Sequence, residues 1–272
     1  MSRLWSILFF LLTAAGLASF ILAANGVSPL AGAWLPENFS ESGVAIDQLF
    51  YLAHWICAVI FVGVGLLIAI FVWKFSDSSR ETASFIRGNT KLEIIWTLIP
   101  AAILVWLALF QMQTWSDQRV DRPTIQVGDQ ILPKPPMVRV VAKQYGWEFQ
   151  YAGADNRFDS VDDVSVENLM VIPNNEPIVM QLESRDVIHS FFVPKLRFKH
   201  DVVPGMKQIA WFTPTTSEDS TIELTIVCAE LCGWGHYKMN AQLRIVPRSE
   251  FDAWIKDQQL RVAPPEIARQ GG

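Results

Sequence analysis

Residues 228–239 bring four soft metal-ligating side chains into a single short segment. They are the thiols of Cys228 and Cys232, the imidazole of His236 and the thioether of Met239. Thiolate and thioether ligands select copper over hard cations, whereas a structural zinc site needs four Cys or His ligands. The alternative, a disulfide between the two cysteines, would give the other two residues no purpose. The spacing therefore predicts a copper site.

The second cysteine points to two copper ions. A blue-copper site uses one Cys, one nearby His, one Met and a distant His, and this segment has that order plus an additional thiol. Two bridging thiolates can hold two coppers side by side and spread one electron over both, which suits an electron relay. Each copper also needs an imidazole, and His236 supplies only one.

The second imidazole must come from elsewhere, and His189 and His200 are the candidates in this half of the chain. His189 lies in a strand-like segment, Arg-Asp-Val-Ile-His-Ser-Phe-Phe-Val, and rigid strands position ligands accurately. Taken alone, it could equally be a buried, hydrogen-bonded histidine. His200 lies among charged residues, and this pattern predicts a solvated turn. We therefore expect His189 to be the ligand.

The first 115 residues hold most of the apolar sequence. The runs Leu49–Val72 and Ile94–Phe110 are long enough to cross a bilayer. Leu4–Ala24 is either a third membrane helix or a signal peptide with a cleavage site at Ala31–Ala33. Lys and Arg residues between positions 74 and 91 place that loop in the cytoplasm. The chain after Trp115 is then expected outside.

The second half predicts a β-sandwich or barrel. After a Pro- and Gly-containing linker at 116–136, short β-branched and aromatic runs alternate with turn residues. The expected strands are Val138–Ala142, Trp147–Tyr151, Asn168–Ile172, Ile178–Glu183, His189–Val193, Gln208–Phe212, Ile222–Val227 and Gln242–Val246. A short helix is expected at Ser249–Gln259. The division is thus 1–24, a membrane hairpin at 48–115, the linker, a β domain at 137–260 and a tail at 261–272. The net charge of −5, without a basic cluster, argues against nucleic-acid binding.

The motif Cys-Ala-Glu-x-Cys-Gly-x-x-His-x-x-Met, preceded by Asp-Val-x-His-Ser-Phe, closely resembles cytochrome c oxidase subunit II, the Cu-A subunit of haem–copper terminal oxidases. The resemblance runs from roughly Gln48 to Ile255. It implies a cupredoxin-like Greek-key sandwich anchored by a two-helix hairpin in the cytoplasmic membrane of a bacterium. It also implies a set of Cu-A ligands, namely His189, Cys228, the carbonyl of Glu230, Cys232, His236 and Met239. The Glu230 carboxylate would bind a magnesium ion at the interface with subunit I.

The resemblance further implies partners and roles. The chain would accept electrons from cytochrome c or a similar small donor and pass them to haem in subunit I, which also holds Cu-B. Oxygen reduction to water and proton translocation would take place there, and subunit III and membrane lipid complete the surroundings. Glu93, in Glu-x-x-Trp-Thr-x-x-Pro, matches a family residue at the mouth of a proton path. A carboxylate favoured by the helix dipole is the structural alternative.

The family uses an exposed Trp in an aromatic-rich strand to take the electron from cytochrome c, and this chain departs from that pattern. Alignment puts Tyr145 at the position, which leaves Tyr145 and Trp147 as candidates. The stretch from Glu148 to Asp186 is rich in acids and could be a docking face for a basic donor or a solvated loop.

There are three alternatives to this family. A quinol oxidase subunit lacks the copper ligands, and a membrane-anchored copper carrier would have exposed thiols. Nitrous oxide reductase has a similar copper centre but joins it to a large propeller domain, for which this chain has no room.

Overall fold

The computed structural model describes residues 2–30, 32–75, 85, 87–153, 157–160 and 162–262. The chain divides into two compact units, a membrane unit (Met1–Pro36 and Asp47–Met112) and a β unit (Glu37–Ile46 and Gln113–Gly272). The cleavage site expected at Ala31–Ala33 and the tail expected at 261–272 lie partly outside the described residues. The loop arginine Arg80 lies wholly outside them.

Three helices carry the apolar sequence: α1 (Ser2–Ala24), α2 (Gly43–Phe75) and α3 (Thr90–Arg119). Each is long and apolar enough to cross a membrane, so the expected membrane helices are confirmed and the first apolar run is also helical. The α3 helix extends beyond the apolar run at both ends. At its start, the Asn89 side chain accepts a hydrogen bond from the Leu92 backbone N–H, as a helix cap does.

The α1 helix contacts α2 through small and hydroxyl-bearing side chains. The Ser6 hydroxyl donates to the Ala69 carbonyl at 2.6 Å. A Cβ on Gly65 would lie 2.1 Å from Thr13 Oγ1, so the two backbones approach closely there. Small residues and interhelical hydrogen bonds are the usual means of helix association in lipid. The first apolar run therefore has a specific contact surface on α2.

Among its described residues, the β unit contains twelve strands, two short 3-10 helices (Pro194–Leu196 and His236–Lys238) and one complete α-helix. The strands are β1 (Thr124–Val127), β2 (Gln130–Pro133), β3 (Val138–Lys143), β4 (Gly146–Tyr151), β5 (Val164–Glu167), β6 (Leu169–Pro173), β7 (Ile178–Ser184), β8 (His189–Val193), β9 (Phe198–Val202), β10 (Gln208–Phe212), β11 (Ile222–Cys228) and β12 (Asn240–Val246). The helix is α4 (Arg248–Val262). All eight expected strands and the expected helix are present, with ends that differ by a few residues.

Two five-stranded sheets form the sandwich. Their strand orders are β10-β7-β3-β4-β5 and β6-β12-β11-β8-β9, and β1-β2 is a separate hairpin. Neighbouring strands are antiparallel except β3–β7 and β6–β12, which are parallel. The inner faces bury aromatic and aliphatic side chains, among them Trp147, Phe149 and Phe191. The expected membrane helices with a cupredoxin-like β-sandwich are thus confirmed.

Four strands were not expected from the sequence. The segment 116–136, expected to be a linker, contains the end of α3 and the β1–β2 hairpin, which turns at Gly128 with a φ of 60°. The strands β5 and β9 occupy the edges of the two sheets. Edge strands often carry charged side chains that block pairing with other molecules, so their sequences read as loops.

Candidate metal centre

The expected ligands meet at one end of the sandwich because strand ends place them there. His189 is the first residue of β8, and Cys228 is the last residue of β11, which pairs with β8. The loop 229–239 is closed at its base by a hydrogen bond from the Cys228 backbone N–H to the Met239 carbonyl at 3.1 Å. A second hydrogen bond, from the Ala229 N–H to the Ser190 carbonyl at 3.0 Å, ties the loop to β8.

The candidate ligand atoms form a compact group around the two thiols. The Cys228 and Cys232 sulfurs are 3.9 Å apart. His189 Nδ1 lies 3.9 Å from the Cys228 sulfur, and His236 Nδ1 lies 3.6 Å from the Cys232 sulfur. The remaining two donors are the Met239 sulfur, 3.7 Å from Cys232, and the Glu230 carbonyl oxygen, 3.2 Å from Cys228.

These distances fit a metal better than a disulfide. A disulfide bond is about 2.05 Å long, roughly half of the sulfur separation here. Metal–thiolate bonds of about 2.3 Å allow two sulfurs on a common ion to be up to about 4.6 Å apart. His189, Cys228 and Cys232 are buried and their ligand atoms lie within 4.8 Å of one another. The donor set of sulfur and imidazole is the soft set that copper prefers.

The two thiols differ in acidity. Burial raises the pKa of Cys228, but hydrogen bonds from His189 and from backbone groups outweigh it and lower the pKa to about 6. Burial, followed by the neighbouring charge of Cys228, raises the pKa of Cys232 to about 11. The pair thus gives up one proton readily and holds the other. A metal ion would have to displace the second proton.

His189 is held from behind by a carboxylate. Its Nε2 atom lies 2.7 Å from Asp186 Oδ1, which turns Nδ1 towards Cys228. Burial lowers the pKa of His189, but the contacts with Cys228 and Asp186 outweigh it and raise the pKa. A carboxylate on the second ring nitrogen is the usual way to fix the orientation of a metal-bound histidine.

The two aromatic candidates for accepting electrons occupy different environments. Trp147 is fully buried, with its ring edge-on to His189 at a centroid distance of 6.2 Å. Tyr145 is 37% exposed. Because β4 is buried on both faces, Trp147 is part of the core and does not fit a surface contact. Only Tyr145 of the two meets solvent.

Other expected residues lie outside the group of donor atoms. The Glu230 side chain is exposed. His200 lies on β9, where its Nδ1 is 2.9 Å from the Asp201 carbonyl, so the expected turn is a strand. Glu93 lies in the first turn of α3.

The acidic stretch is mostly neutralised within the domain. Ion pairs join Glu148 to Arg185, Asp159 and Glu183 to Arg139, Glu167 to Lys143, and Glu176 to Arg248. Asp155 lies outside the described residues. Paired carboxylates attract a basic partner less than free ones, so the docking face expected from charge alone has less support than the number of acids indicates.

Sequence reasoning missed two residues at the site, Asp186 and Gln144. The spacing of Asp186, three residues before His189, was an available signal for a carboxylate partner. Gln144 donates its side-chain amide to the Cys232 carbonyl at 2.6 Å. Gln144 and Cys232 are far apart in the sequence, and no local sequence pattern predicts their contact.

Comparisons with known proteins identify the family of the chain. Residues 32–114 match the family model of the cytochrome c oxidase subunit II transmembrane domain, and residues 137–246 match that of its periplasmic domain. Cytochrome c oxidase subunit 2 of Alkalihalophilus pseudofirmus is 33% identical, covering 85% of this chain and 67% of that protein. Probable cytochrome c oxidase subunit 2 of Rickettsia bellii is 30% identical, covering 82% and 81%.

One similar solved structure is the periplasmic domain of cytochrome oxidase subunit II of Bradyrhizobium japonicum. It is 26% identical with a TM-score of 0.41, covering 48% of this chain and 99% of that one. The family assignment rests on the sequence matches, which span both units. The chain therefore belongs to the cytochrome c oxidase subunit II family and is subunit II of a haem–copper terminal oxidase.

Proposed function

We propose that this chain is the electron-accepting subunit of the oxidase and holds a binuclear Cu-A centre. The observation that carries the proposal is the pair of buried thiols, Cys228 and Cys232, 3.9 Å apart and each next to an imidazole. When bound, two coppers in such a site share one unpaired electron. The proposed ligands are His189, Cys228, the Glu230 carbonyl, Cys232, His236 and Met239.

The protein's part in this function is to hold the ligands rigidly and keep water out. Cys228, Cys232 and Met239 are almost fully buried, and Trp147 closes the site from the core side. Rigid ligands change position little between two charge states, which favours fast electron transfer. The same burial argues against the copper-carrier alternative, because a carrier presents accessible thiols to its acceptor.

We propose Tyr145 as the contact through which electrons arrive from cytochrome c or a similar small donor. Its ring lies against the loop between Cys232 and His236, since a Cβ on Gly235 would be 2.5 Å from Tyr145 Cδ2. Replacing Tyr145 by Leu should slow reduction by a soluble c-type cytochrome and leave reduction by a small inorganic reductant unchanged. Equal effects on both reductants would contradict this role.

We propose that electrons leave for haem in subunit I, where oxygen is reduced and protons are translocated. The Glu230 carboxylate is proposed to contribute one magnesium ligand at that interface, because carboxylates suit hard cations and this side chain is exposed beside the copper ligands. Glu230→Gln in the assembled oxidase should lower bound magnesium and leave copper content unchanged. Unchanged magnesium would contradict the assignment.

Glu93 is proposed to serve proton uptake at the cytoplasmic end of α3. Ionisable groups at a membrane boundary are good functional candidates, and a carboxylate in the first turn of α3 is also favoured by the helix dipole. In the assembled oxidase, Glu93→Gln should reduce turnover without changing reduction of the copper centre. An equal loss in both measurements would indicate a structural role instead.

The proposed arrangement is a membrane hairpin at 48–115, preceded by a signal peptide or additional helix at 1–24, and a Cu-A domain at 137–260. The charges of the loop between α2 and α3 support a cytoplasmic loop and a β unit outside the bacterial cytoplasmic membrane. Subunits I and III would surround the helices.

The experiment that tests the function is copper stoichiometry of the full chain in detergent. The proposal requires two coppers per chain, and loss of copper in Cys232→Ser. Cys57→Ser is the matched control, because this third cysteine lies on α2 and should leave both coppers bound. One copper per chain, or retention of both in Cys232→Ser, would overturn the binuclear site.

A further inference from the structure

We propose that Gln144 is a positioning residue. It fixes the loop that carries Cys232 and the side chain of His189 relative to each other. It lies in the turn between β3 and β4. No ligand motif includes it. The inference rests on the proposed metal centre, but the contacts that carry it exist in the chain without metal.

The side chain of Gln144 holds the ligand loop. Its Nε2 atom donates to the Cys232 carbonyl at 2.6 Å. The neighbouring Gly233 has a φ of 133°, and a Cβ there would lie 2.8 Å from Gln144 Nε2 and 2.7 Å from the Tyr145 hydroxyl. The turn and the loop therefore touch without space for another side chain. The peptide that follows a candidate ligand is fixed by this contact.

The backbone of Gln144 holds the histidine side. Its N–H donates to Asp186 Oδ2 at 2.7 Å, and Asp186 Oδ1 lies 2.7 Å from His189 Nε2. The Val187 N–H donates to the same Oδ1 at 2.7 Å. Both carboxylate oxygens are thus occupied, which sets the direction of the His189 ring.

Through these contacts Gln144 helps to position two proposed ligands, Cys232 and His189, that come from different elements. Cys232 lies on the loop after β11, whereas His189 begins β8. The turn that carries Gln144 joins β3 and β4, which are buried central strands paired over six residues. A loop tied to such strands keeps its ligands in place when no metal is bound. Outer partners of this kind tune metal sites through geometry.

The first test uses the metal-free full chain in detergent, with alkylation of Cys232 by iodoacetamide followed by mass spectrometry. Gln144→Met keeps length and bulk but removes the donor, so Cys232, which is 3% exposed, should react about tenfold faster, as the loss of one hydrogen bond predicts.

Gln126→Met is the matched control. Its Nε2 donates to a backbone carbonyl, that of Gly128, in the β1–β2 hairpin. The variant loses a similar hydrogen bond elsewhere and should leave Cys232 unchanged. Equal alkylation in wild type and Gln144→Met, or equal acceleration in Gln126→Met, would overturn the positioning role.

The second test is spectroscopic. In copper-loaded chains, Gln144→Met should shift the copper hyperfine splitting and the thiolate-to-copper absorption, whereas the Gln126→Met control should leave both unchanged. Unaltered spectra in Gln144→Met would overturn the role. Failure of the wild type to bind copper would instead overturn the metal centre, and the alkylation result would still report on Gln144.

Discussion

Replacing Gly235 by alanine should disturb the ligand loop through one steric contact whose size follows from the structure. The new Cβ would lie 2.5 Å from Tyr145 Cδ2 and 2.6 Å from Cγ. Carbon atoms in contact are about 3.5 Å apart or more, so the loop or the ring must move by roughly 1 Å. The Gly235 φ of −91° is ordinary for alanine, so backbone strain is not the cause.

The movement cannot be absorbed cheaply, because Cγ is the ring atom bonded to the Tyr145 Cβ and lies near the backbone. Gly235 directly precedes His236, a proposed ligand. A 1 Å shift far exceeds the tolerance of about 0.2 Å in metal–ligand distances. We expect copper affinity to fall about 10- to 100-fold and unfolding free energy to fall by about 1–3 kcal/mol.

The assay is a copper competition titration with a chelator, combined with urea unfolding, on the full chain in detergent. Tyr145→Ala removes the clashing ring, so the double variant should recover most of the affinity lost in Gly235→Ala. Wild-type affinity in Gly235→Ala would refute the steric reasoning. So would a double variant in which the two losses simply add.

Two further predictions concern the two units separately. The buried hydroxyl of Tyr151 donates to the Val171 carbonyl and accepts from the Val171 backbone N–H in β6. Tyr151→Phe should therefore lower the unfolding free energy by about 2–4 kcal/mol in urea titrations. A change near zero would contradict this. Gly65→Leu should separate α1 from α2 and reduce disulfide cross-linking between Ser6→Cys and Ala69→Cys, whereas Gly63→Leu, where a Cβ meets open space, should leave cross-linking intact.

The ligand loop was readable from sequence because its chemistry is local. Four ligand types fall between Cys228 and Met239, and their spacing needs no tertiary information. His189 required one further step, the strand-like pattern around it. The structure brings it to the loop because β8 pairs with β11. The central strands were equally predictable, because their apolar residues either follow one another, as in β8, or alternate with polar residues, as in β11 and β12.

The edge strands β5 and β9 and the contacts that support the ligands could not be predicted from the sequence. The strand β9 contains Lys199, His200 and Asp201, and β5 contains Glu167. Because charged residues are typical of loops, the sequence did not predict that these segments pair as strands. Trp147 and Tyr145 lie in one aromatic run, and alternation could not separate them because residues two positions apart in a strand point to the same face. The contact between Gln144 and Cys232 joins distant segments and depends on the final packing of turn against loop.

The electron paramagnetic resonance spectrum of the copper-loaded chain tests the central claim most directly. The account predicts hyperfine structure from one unpaired electron shared equally over two copper nuclei, with loss of that pattern in Cys232→Ser. A spectrum of a single copper nucleus in the wild type would contradict the account, because two buried thiols between two imidazoles would then hold only one ion.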